Sequence, residues 1–263
     1  MKELTSVEQT LLIPLAARAW ATQHIPGLIS DHDALRLFGE LGGGMRVPRK
    51  TCILLALRSV LFDQLAAAYL TEHPHTRVLQ VGCGLDSRYH RLGVQGPLWY
   101  DLDLPGTIEL RRRFFSDHQG YRMITGSLTD SHWCTELEGG EPLLVIAEGV
   151  LMYLKEQEVK QVFLLLQQRC PGSRIIFDAY SRMTASLIHR HSSLSKTGAE
   201  IQWGIDDLRD LCLWGEGMVL KGEYPFSGMD EVNQLPRYWR HSFRLAHVFP
   251  AARRAHRTAV VEV

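Results

Sequence analysis

The stretch Arg77-Val-Leu-Gln-Val-Gly-Cys-Gly-Leu-Asp-Ser-Arg88 decides the fold, together with Trp99-Tyr-Asp-Leu-Asp-Leu-Pro105, which follows it. The first is an apolar run that stops at Gly82 and Gly84, and the second is an apolar run that closes on Asp103. An open α/β sheet presents a glycine turn and then an acidic residue to a nucleoside in this order. The pattern therefore predicts a nucleoside cofactor at the carboxyl ends of two neighbouring strands.

Short apolar runs alternate with helical segments along the rest of the chain. The predicted strands are Val78–Val81, Leu98–Leu104, Tyr121–Ile124, Leu143–Ala147, Arg174–Phe177, Met218–Tyr224 and Thr258–Val263. Strands that alternate with helices make right-handed crossovers and give a parallel sheet covered on both faces. The last two strands suit an antiparallel pair at one edge. We predict an α/β fold with a mostly parallel, seven-stranded sheet.

The chain before the first strand has apolar residues at helical spacing. We predict that residues 1–75 form a helical lid over the cofactor. Residues 76–263 are then the core domain, with C-terminal antiparallel strands and insertions that cover the substrate.

The charge balance limits the partners. In 263 residues, 29 basic side chains cancel 29 acidic ones, so the chain lacks the basic footprint of a nucleic-acid-binding protein. The run Arg111-Arg-Arg113 on a predicted helix is typical of a solvated face. A small neutral or anionic molecule fits better as the partner.

The cysteines and the apolar stretches bear on the location of the protein. Five widely spread cysteines, without Cys-x-x-Cys spacing, indicate reduced thiols. No apolar signal region opens the sequence, and no apolar stretch approaches the roughly 20 residues that span a bilayer. We expect a cytoplasmic protein without a membrane partner.

The glycine turn favours one cofactor over another. A dinucleotide fingerprint requires a third glycine where this chain has Ser87, and Asp86 would repel a pyrophosphate. S-adenosylmethionine has a cationic centre and no phosphate, which removes both difficulties. Gly82 and Gly84 would let the backbone approach this cofactor, and Asp103 would accept the ribose hydroxyls. The alternative is that the glycines only shape a turn and Asp86 caps the next helix.

Three longer motifs resemble the leucine carboxyl methyltransferase family, and the likeness is closer to its bacterial branch, which includes polyketide-pathway O-methyltransferases. These motifs run over residues 78–92, 101–105 and 146–154. The likeness extends over nearly the whole chain, with further similar stretches at residues 16–20, 29–34, 58–63 and 203–209. It implies a Rossmann-like class I methyltransferase fold and S-adenosylmethionine as the cofactor.

The resemblance also implies roles for single residues. Arg18 and Arg58 would face the methionine carboxylate, as guanidinium groups pair well with carboxylates. Glu148 would lie near the methionine moiety, and Tyr153 near the reacting centre as the catalytic residue.

The adenine contact departs from the family pattern. Where the family commonly has Asp-Leu after the third strand, this chain has Ser127-Leu128. Leu128 can still cover the ring, but Ser127 offers a neutral hydroxyl, so the affinity for the cofactor is expected to be weaker.

The implied reaction is an in-line methyl transfer to a small molecule, which needs alignment and exclusion of water but no metal. A carboxylate acceptor is already ionised at neutral pH, whereas a phenol would benefit from a base. Both acceptors stay open, with the carboxylate preferred. Candidates for orienting an acidic substrate are Tyr153, Tyr180, Arg182 and Arg237, and Asp178 either faces the substrate or caps a helix.

Two other functions stay open. The chain could bind the cofactor without productive catalysis, for which Ser127 would be the first sign, or it could methylate a protein C-terminal carboxylate. A metal site is not expected, because the pairs His73-x-His75 and His189-x-His191 lack a third ligand.

Overall fold

The computed structural model describes residues 6–42, 44–93, 96, 98–138, 142–188 and 200–263. Within these residues seven strands form one sheet in the order β3-β2-β1-β4-β5-β7-β6. The strands are β1 (Arg77–Val81), β2 (Trp99–Asp103), β3 (Tyr121–Thr125), β4 (Leu143–Ala147), β5 (Arg174–Tyr180), β6 (Val219–Pro225) and β7 (His256–Glu262). The strand order reverses direction between β1 and β4, which is where open α/β sheets bind ligands.

The sheet confirms the predicted mixture of strand directions. Neighbours among β1 to β5 pair in parallel, and β7 pairs antiparallel with both β5 and β6. β5 continues three residues beyond its predicted end at Phe177, because β7 pairs with it as far as Tyr180 opposite His256. Asp178 therefore lies inside this strand and does not end it.

The helices cover both faces of the sheet. They are α1 (Ser6–His24), α2 (His32–Leu41), α3 (Arg49–Glu72), α4 (Arg88–Leu92), α5 (Pro105–Arg111), α6 (Trp133–Glu136), α7 (Glu156–Arg169), α8 (Arg182–Ile188), α9 (Arg237–Val248) and α10 (Pro250–Ala255). The sequence predicts a helical segment over Pro105–Asp117, and α5 is shorter, because it ends at Arg111. The sequence also predicts a helix that begins at Asp206-Asp207; the structure has a 3-10 helix, Leu208–Leu213, and the Asp207 side chain accepts a hydrogen bond from the Arg209 N–H at its start.

The N-terminal helices share the main core with the sheet. Leu12 and Leu15 of α1 lie in one buried cluster with Val78 of β1 and Leu144 of β4. These helices therefore cover one face of the sheet. The division of the chain at residue 75 stays a prediction, and residues 1–5 and 43 of the predicted lid lie outside the described residues.

α3 is longer and more apolar than the sequence analysis anticipated. Its 24 residues are enough, by length and composition, to cross a membrane, and 61% of its most apolar window is buried inside the fold. Arg58 lies in the middle of this helix and is itself buried. Burial of this kind is typical of a core helix.

The turn after β1 depends on glycine for its backbone conformation. Gly82 and Gly84 have φ values of 57° and 52°, in the left-handed region that favours glycine. A Cβ atom on Gly82 would also collide with Cγ2 of Val150. The Val150 side chain, shortly after β4, therefore packs directly against this turn.

We expect Gly82→Ala to lower the free energy of unfolding by about 2–4 kcal/mol, from backbone strain and overpacking together. Gly93→Ala is the matched control, because Gly93 has a φ of 58° and open space around its missing Cβ. This control should cost only about 1–2 kcal/mol. Urea denaturation measures both values, and equal losses would contradict the close contact with Val150.

Candidate functional site

A cavity of about 440 Å³ lies at the carboxyl ends of β1 and β4, between the sheet and helices α1 and α3. Its size is within the usual range for small-molecule sites. The cavity lining includes six of the predicted site residues: Arg18, Arg58, Gly82, Gly84, Glu148 and Tyr153. The structure thus brings together residues that are up to 135 positions apart in the chain.

Asp103 lies beside the glycine turn but outside the cavity lining. Its Oδ2 accepts a hydrogen bond from the Gly84 N–H at 2.8 Å, and its Oδ1 accepts one from the Leu104 N–H at 2.7 Å. Burial raises the pKa of this carboxyl above its ordinary value, although these bonds partly oppose the shift. The carboxylate is fixed at the end of β2, as expected for a group that accepts ribose hydroxyls.

Ser127 and Leu128 follow β3, next to the end of β2. The Ser127 hydroxyl is bonded to the Thr129 hydroxyl at 2.8 Å and also accepts a hydrogen bond from the Thr129 N–H. Leu128 is buried in a core cluster, and its carbonyl accepts a hydrogen bond from the Trp133 ring. Neither residue lines the cavity, so their predicted contact with adenine stays a prediction.

Buried arginines and carboxylates surround the inner part of the cavity. We call this set the arginine–carboxylate network; its members are Arg18, Arg58, Arg88, Arg91, Asp31, Asp63, Asp86, Glu148 and Asp178. Buried charges are retained only where partners compensate their desolvation. The network therefore ties the N-terminal helices to the carboxyl edge of the sheet.

The two arginines assigned to the methionine carboxylate are already held by carboxylates of the protein. Arg58 Nε contacts Glu148 Oε1 at 3.0 Å, and its Nη1 contacts Asp178 Oδ2 at 3.1 Å. Arg18 Nε contacts Asp31 Oδ2 at 2.8 Å, and its Nη2 donates to the carbonyl oxygen of Leu85 at 3.0 Å. Both guanidinium groups are thus oriented toward the cavity before any ligand arrives.

Arg88 and Arg91 on α4 belong to the network but were not predicted from the sequence. Arg88 bridges Asp63 and Glu148, with its Nε 2.7 Å from Asp63 Oδ1. Arg91 bridges Asp31 and Asp63 at 2.9 and 2.6 Å. Their position directly after the glycine turn was a sequence feature that could have indicated this role.

Asp86 does not have the helix-capping role considered for it. Its Oδ1 accepts a hydrogen bond from Arg91 Nη1 at 3.1 Å, and its Oδ2 accepts one from the Gln80 amide at 3.0 Å. Ser87 is the residue before α4, and no side chain caps that helix. Asp86 instead balances the arginines of the network.

The charges of the network suit a cationic ligand. Among the described residues it contains one carboxylate more than it has guanidinium groups. Burial alone would raise the pKa of Asp178, but Arg58 outweighs this effect and holds the pKa below its ordinary value; Arg18 and Arg91 do the same for Asp31. The negative excess therefore persists at neutral pH. It fits the sulfonium and ammonium groups of S-adenosylmethionine, and the arginines fit its carboxylate.

Tyr153 and Tyr180 both line the cavity. Burial raises the pKa of each phenol above its ordinary value. Both hydroxyls therefore stay protonated at neutral pH, so they can donate a hydrogen bond but are poor bases.

Asp178 faces the network and caps no helix. Its Oδ1 accepts a hydrogen bond from the Gly149 N–H at 2.6 Å, and its Oδ2 lies 3.3 Å from Nε2 of His256. Burial lowers the pKa of His256, which stacks on the Tyr180 ring at a centroid distance of 4.0 Å. Arg182 and Arg237, the other candidates for orienting the substrate, are exposed and lie outside the cavity lining.

The outer part of the cavity is mainly apolar and has a lysine at its edge. The apolar side chains here come from α1, α3 and α8: Ile13, Pro14, Leu54, Leu55 and Ile188. Lys50 is exposed, and no carboxylate of the described residues lies within ion-pair distance of it. It precedes Arg58 by about 12 Å along the axis of α3.

Arg111 was wrongly predicted to be solvated. It is buried and pairs with Asp101, and its Nη1 donates to the carbonyl oxygen of Gly84 at 3.0 Å. Arg111 is buried because it pairs with the buried Asp101 carboxylate, whereas Arg112 and Arg113 are exposed as predicted. Arg111 thus supports the glycine turn from behind.

In the part of the chain that the structure describes, no group of three potential metal ligands converges. His73 and His75 are exposed next to the end of α3. His189 and His191 lie outside the described residues.

Comparisons with known proteins show the family to which this chain is similar. A model of the leucine carboxyl methyltransferase family matches residues 12–167. The tetracenomycin polyketide synthesis O-methyltransferase TcmP of Streptomyces glaucescens is 34% identical over 212 residues, which cover 79% of this chain and 78% of that protein.

Solved structures share the fold at low identity. An S-adenosylmethionine dependent methyltransferase from Mesorhizobium loti is similar with a TM-score of 0.56 at 14% identity, and the match covers 77% of this chain and 98% of that one. Magnesium protoporphyrin IX methyltransferase from Synechocystis PCC 6803, with bound S-adenosylmethionine, has a TM-score of 0.51 at 14% identity and coverages of 95% and 96%. These similarities confirm the predicted Rossmann-like class I methyltransferase fold.

Proposed function

This chain belongs to the leucine carboxyl methyltransferase family, and on that basis we propose that it is an S-adenosylmethionine-dependent O-methyltransferase that methylates a carboxylate of a small molecule. The observation that carries the proposal is the cavity beside the glycine turn, with its buried arginine–carboxylate network and an apolar outer part. The relative named for polyketide synthesis supports an acceptor with a large apolar body.

The cofactor, when bound, supplies a methyl group activated on a sulfonium. Arg18 and Arg58 would bind its carboxylate, and Asp103 its ribose. Glu148 holds Arg58 and Arg88 in place and contributes negative charge to the inner cavity. Tyr153 would donate a hydrogen bond from its phenol to an acceptor oxygen and orient it, and the apolar wall would exclude water.

A carboxylate acceptor suits the described lining of the cavity better than a phenol, because each carboxylate in that lining is already bonded to protein donors; Asp86 accepts hydrogen bonds from Arg91 and Gln80. No histidine is among the described residues that line it. The oxygens of Glu148 accept from Arg58, Ser59 and Arg88, so they are occupied by protein donors. A phenol, with a pKa near 10, would need its proton removed, whereas a carboxylate is already ionised.

Lys50 supports the same assignment. It is a cation at the outer part of the cavity without a carboxylate partner among the described residues, so an anionic acceptor would complement it. The adjacent apolar side chains of α3, Leu54 and Leu55, would pack against the body of that acceptor.

Transfer of a labelled methyl group to matched aromatic acceptors tests the proposal. Each set contains a carboxylic acid, its primary amide and the corresponding phenol. We expect labelling of the acid alone, in a product that releases labelled methanol on alkaline hydrolysis, as a methyl ester does. An alkali-stable ether would contradict the carboxylate assignment. Cofactor binding without any transfer would favour a binding protein that has lost catalysis, and labelling of a peptide C-terminus would favour a protein substrate.

We expect Lys50→Met to lower kcat/KM for the acid about fivefold, which corresponds to the loss of one exposed ion pair at the upper end of its usual strength, about 1 kcal/mol. The change should appear in KM, while the affinity for S-adenosylhomocysteine stays unchanged. Arg49→Met is the matched control, because Arg49 is the exposed neighbour of Lys50 and does not line the cavity. Equal effects of the two substitutions would remove Lys50 from the acceptor site.

A further inference from the structure

The last part of the connection between β6 and β7 has a charge unlike that of the rest of the chain. Residues 232–255 contain five arginines and no acidic residue, whereas the remainder of the chain has 24 basic and 29 acidic residues. The neutral net charge therefore conceals a strongly basic region. An anionic surface would attract this region and repel the rest of the molecule.

Helix α9 exposes a row of large apolar side chains within this basic region. It has no fully buried residue, and it packs inward through the partly buried Trp239 and Phe243. We call its outward side the α9 face; its members are Tyr238 (72% exposed), Leu245 (63%), Val248 (69%) and Phe249 (55%). Tyr238, Leu245 and Val248 follow one another at spacings of seven and three residues, which places them on one side of the helix, and Phe249 directly follows the end of α9.

Exposed arginines border the α9 face, and Arg244 among them donates a hydrogen bond to the Asn233 side chain. Arg237 and Arg244 are exposed on α9, and Arg253 and Arg254 are exposed on α10. Within the described chain, no carboxylate lies at ion-pair distance from Arg237, Arg253 or Arg254. The apolar row is thus surrounded by positive charge that the protein itself leaves uncompensated.

The connection that carries α9 begins and ends at the same edge of the sheet as the cavity. β6 is parallel to β5 and ends at Pro225, and β7 runs in the opposite direction and begins at His256. The connection that carries α9 and α10 therefore leaves and rejoins the sheet at its carboxyl edge.

We propose that the α9 face binds an anionic lipid surface peripherally. A helix with aromatic and aliphatic side chains flanked by arginines is suited to the boundary between head groups and acyl chains, where the arginines reach the anionic head groups. The expectation of no membrane partner was based on the lack of a spanning stretch. A helix that lies on the surface needs no such stretch.

Charge argues against a second copy of this chain as the occupant. In a two-fold contact through the α9 face the same surfaces meet, so Arg237 and Arg244 of both copies would be brought together without a carboxylate to separate them. The face is also the outer side of a helix, and the described cavities do not include its residues. A fluid lipid surface can adapt to the outer side of a helix.

Sedimentation of the full-length protein with lipid vesicles tests the proposal. We expect binding to phosphatidylcholine vesicles that contain about 30% phosphatidylglycerol, little binding to pure phosphatidylcholine, and weaker binding as salt rises from about 0.1 to 0.5 M. The double substitution Leu245→Glu and Val248→Glu should weaken binding at least tenfold. Because both side chains are exposed, the fold should be retained, which circular dichroism checks.

Leu213→Glu is the matched control. Leu213 is 82% exposed and lies outside the basic region, so its substitution should leave vesicle binding unchanged. Failure to bind anionic vesicles, or equal binding by the double variant, would overturn the proposal. A dimer that the double variant dissociates, seen by light scattering without vesicle binding, would overturn it in favour of a second copy. None of these results depends on methyl transfer.

Discussion

Replacing Arg88 with methionine is expected to lower the free energy of unfolding by about 3–5 kcal/mol. The Arg88 side chain is fully buried and contacts Asp63, Asp86 and Glu148. Methionine fills much of the same volume but leaves these carboxylates without one of their cations. The cost therefore comes mainly from uncompensated negative charge in a buried position.

Arg112→Met is the control for this prediction. Arg112 directly follows Arg111 at the end of α5, but its side chain is 49% exposed, and it is 3.7 Å from the half-exposed Asp117. Such surface pairs contribute little, so the substitution should change the free energy of unfolding by less than about 1 kcal/mol. Urea denaturation compares the two variants. Similar losses for both would mean that the network does not hold the N-terminal helices on the sheet.

Replacing Asp103 with asparagine is expected to weaken the binding of S-adenosylhomocysteine about 100-fold. The carboxylate would accept both ribose hydroxyls, and two charge-assisted hydrogen bonds at about 1.5 kcal/mol each account for this loss. The side chain also accepts hydrogen bonds from Gly84 and Leu104, so the glycine turn is loosened as well. Titration calorimetry measures the affinity.

Asp210→Asn controls for the loss of one negative charge, because Asp210 is exposed on the 3-10 helix Leu208–Leu213. It should bind the ligand like the unchanged protein. Thermal unfolding of Asp103→Asn separates a damaged fold from a damaged site. An Asp103→Asn protein that is folded and retains full affinity would remove Asp103 from the ribose contact.

Local sequence patterns were sufficient to predict the sheet. Each strand is an apolar run bounded by turn residues, and the predicted and observed bounds differ by few residues. Gly82 and Gly84 could be predicted because a left-handed backbone at a strand end requires glycine, which is a property of the turn itself. The position of Asp103 beside the glycine turn could be predicted because this residue closes the next strand. Its contact with ribose stays a prediction.

The arginine–carboxylate network could be predicted only in part, because it depends on residues that meet through tertiary structure. Asp31 and Arg91 are 60 residues apart, and nothing near either one in the sequence indicates the other. The family likeness predicted that Arg18 and Arg58 bind the carboxylate of the cofactor. The structure shows that both arginines also pair with carboxylates of the protein. Arg111 was misassigned for the same reason, since its partner Asp101 lies on a strand and not on its own helix.

Titration calorimetry of the intact protein with S-adenosylmethionine and S-adenosylhomocysteine tests most directly whether the cavity beside the glycine turn is a cofactor site. We expect one-site binding of both ligands with dissociation constants of about 10 µM or tighter. A folded protein that gives no binding heat with either ligand at about 1 mM would contradict the assignment of this cavity to S-adenosylmethionine.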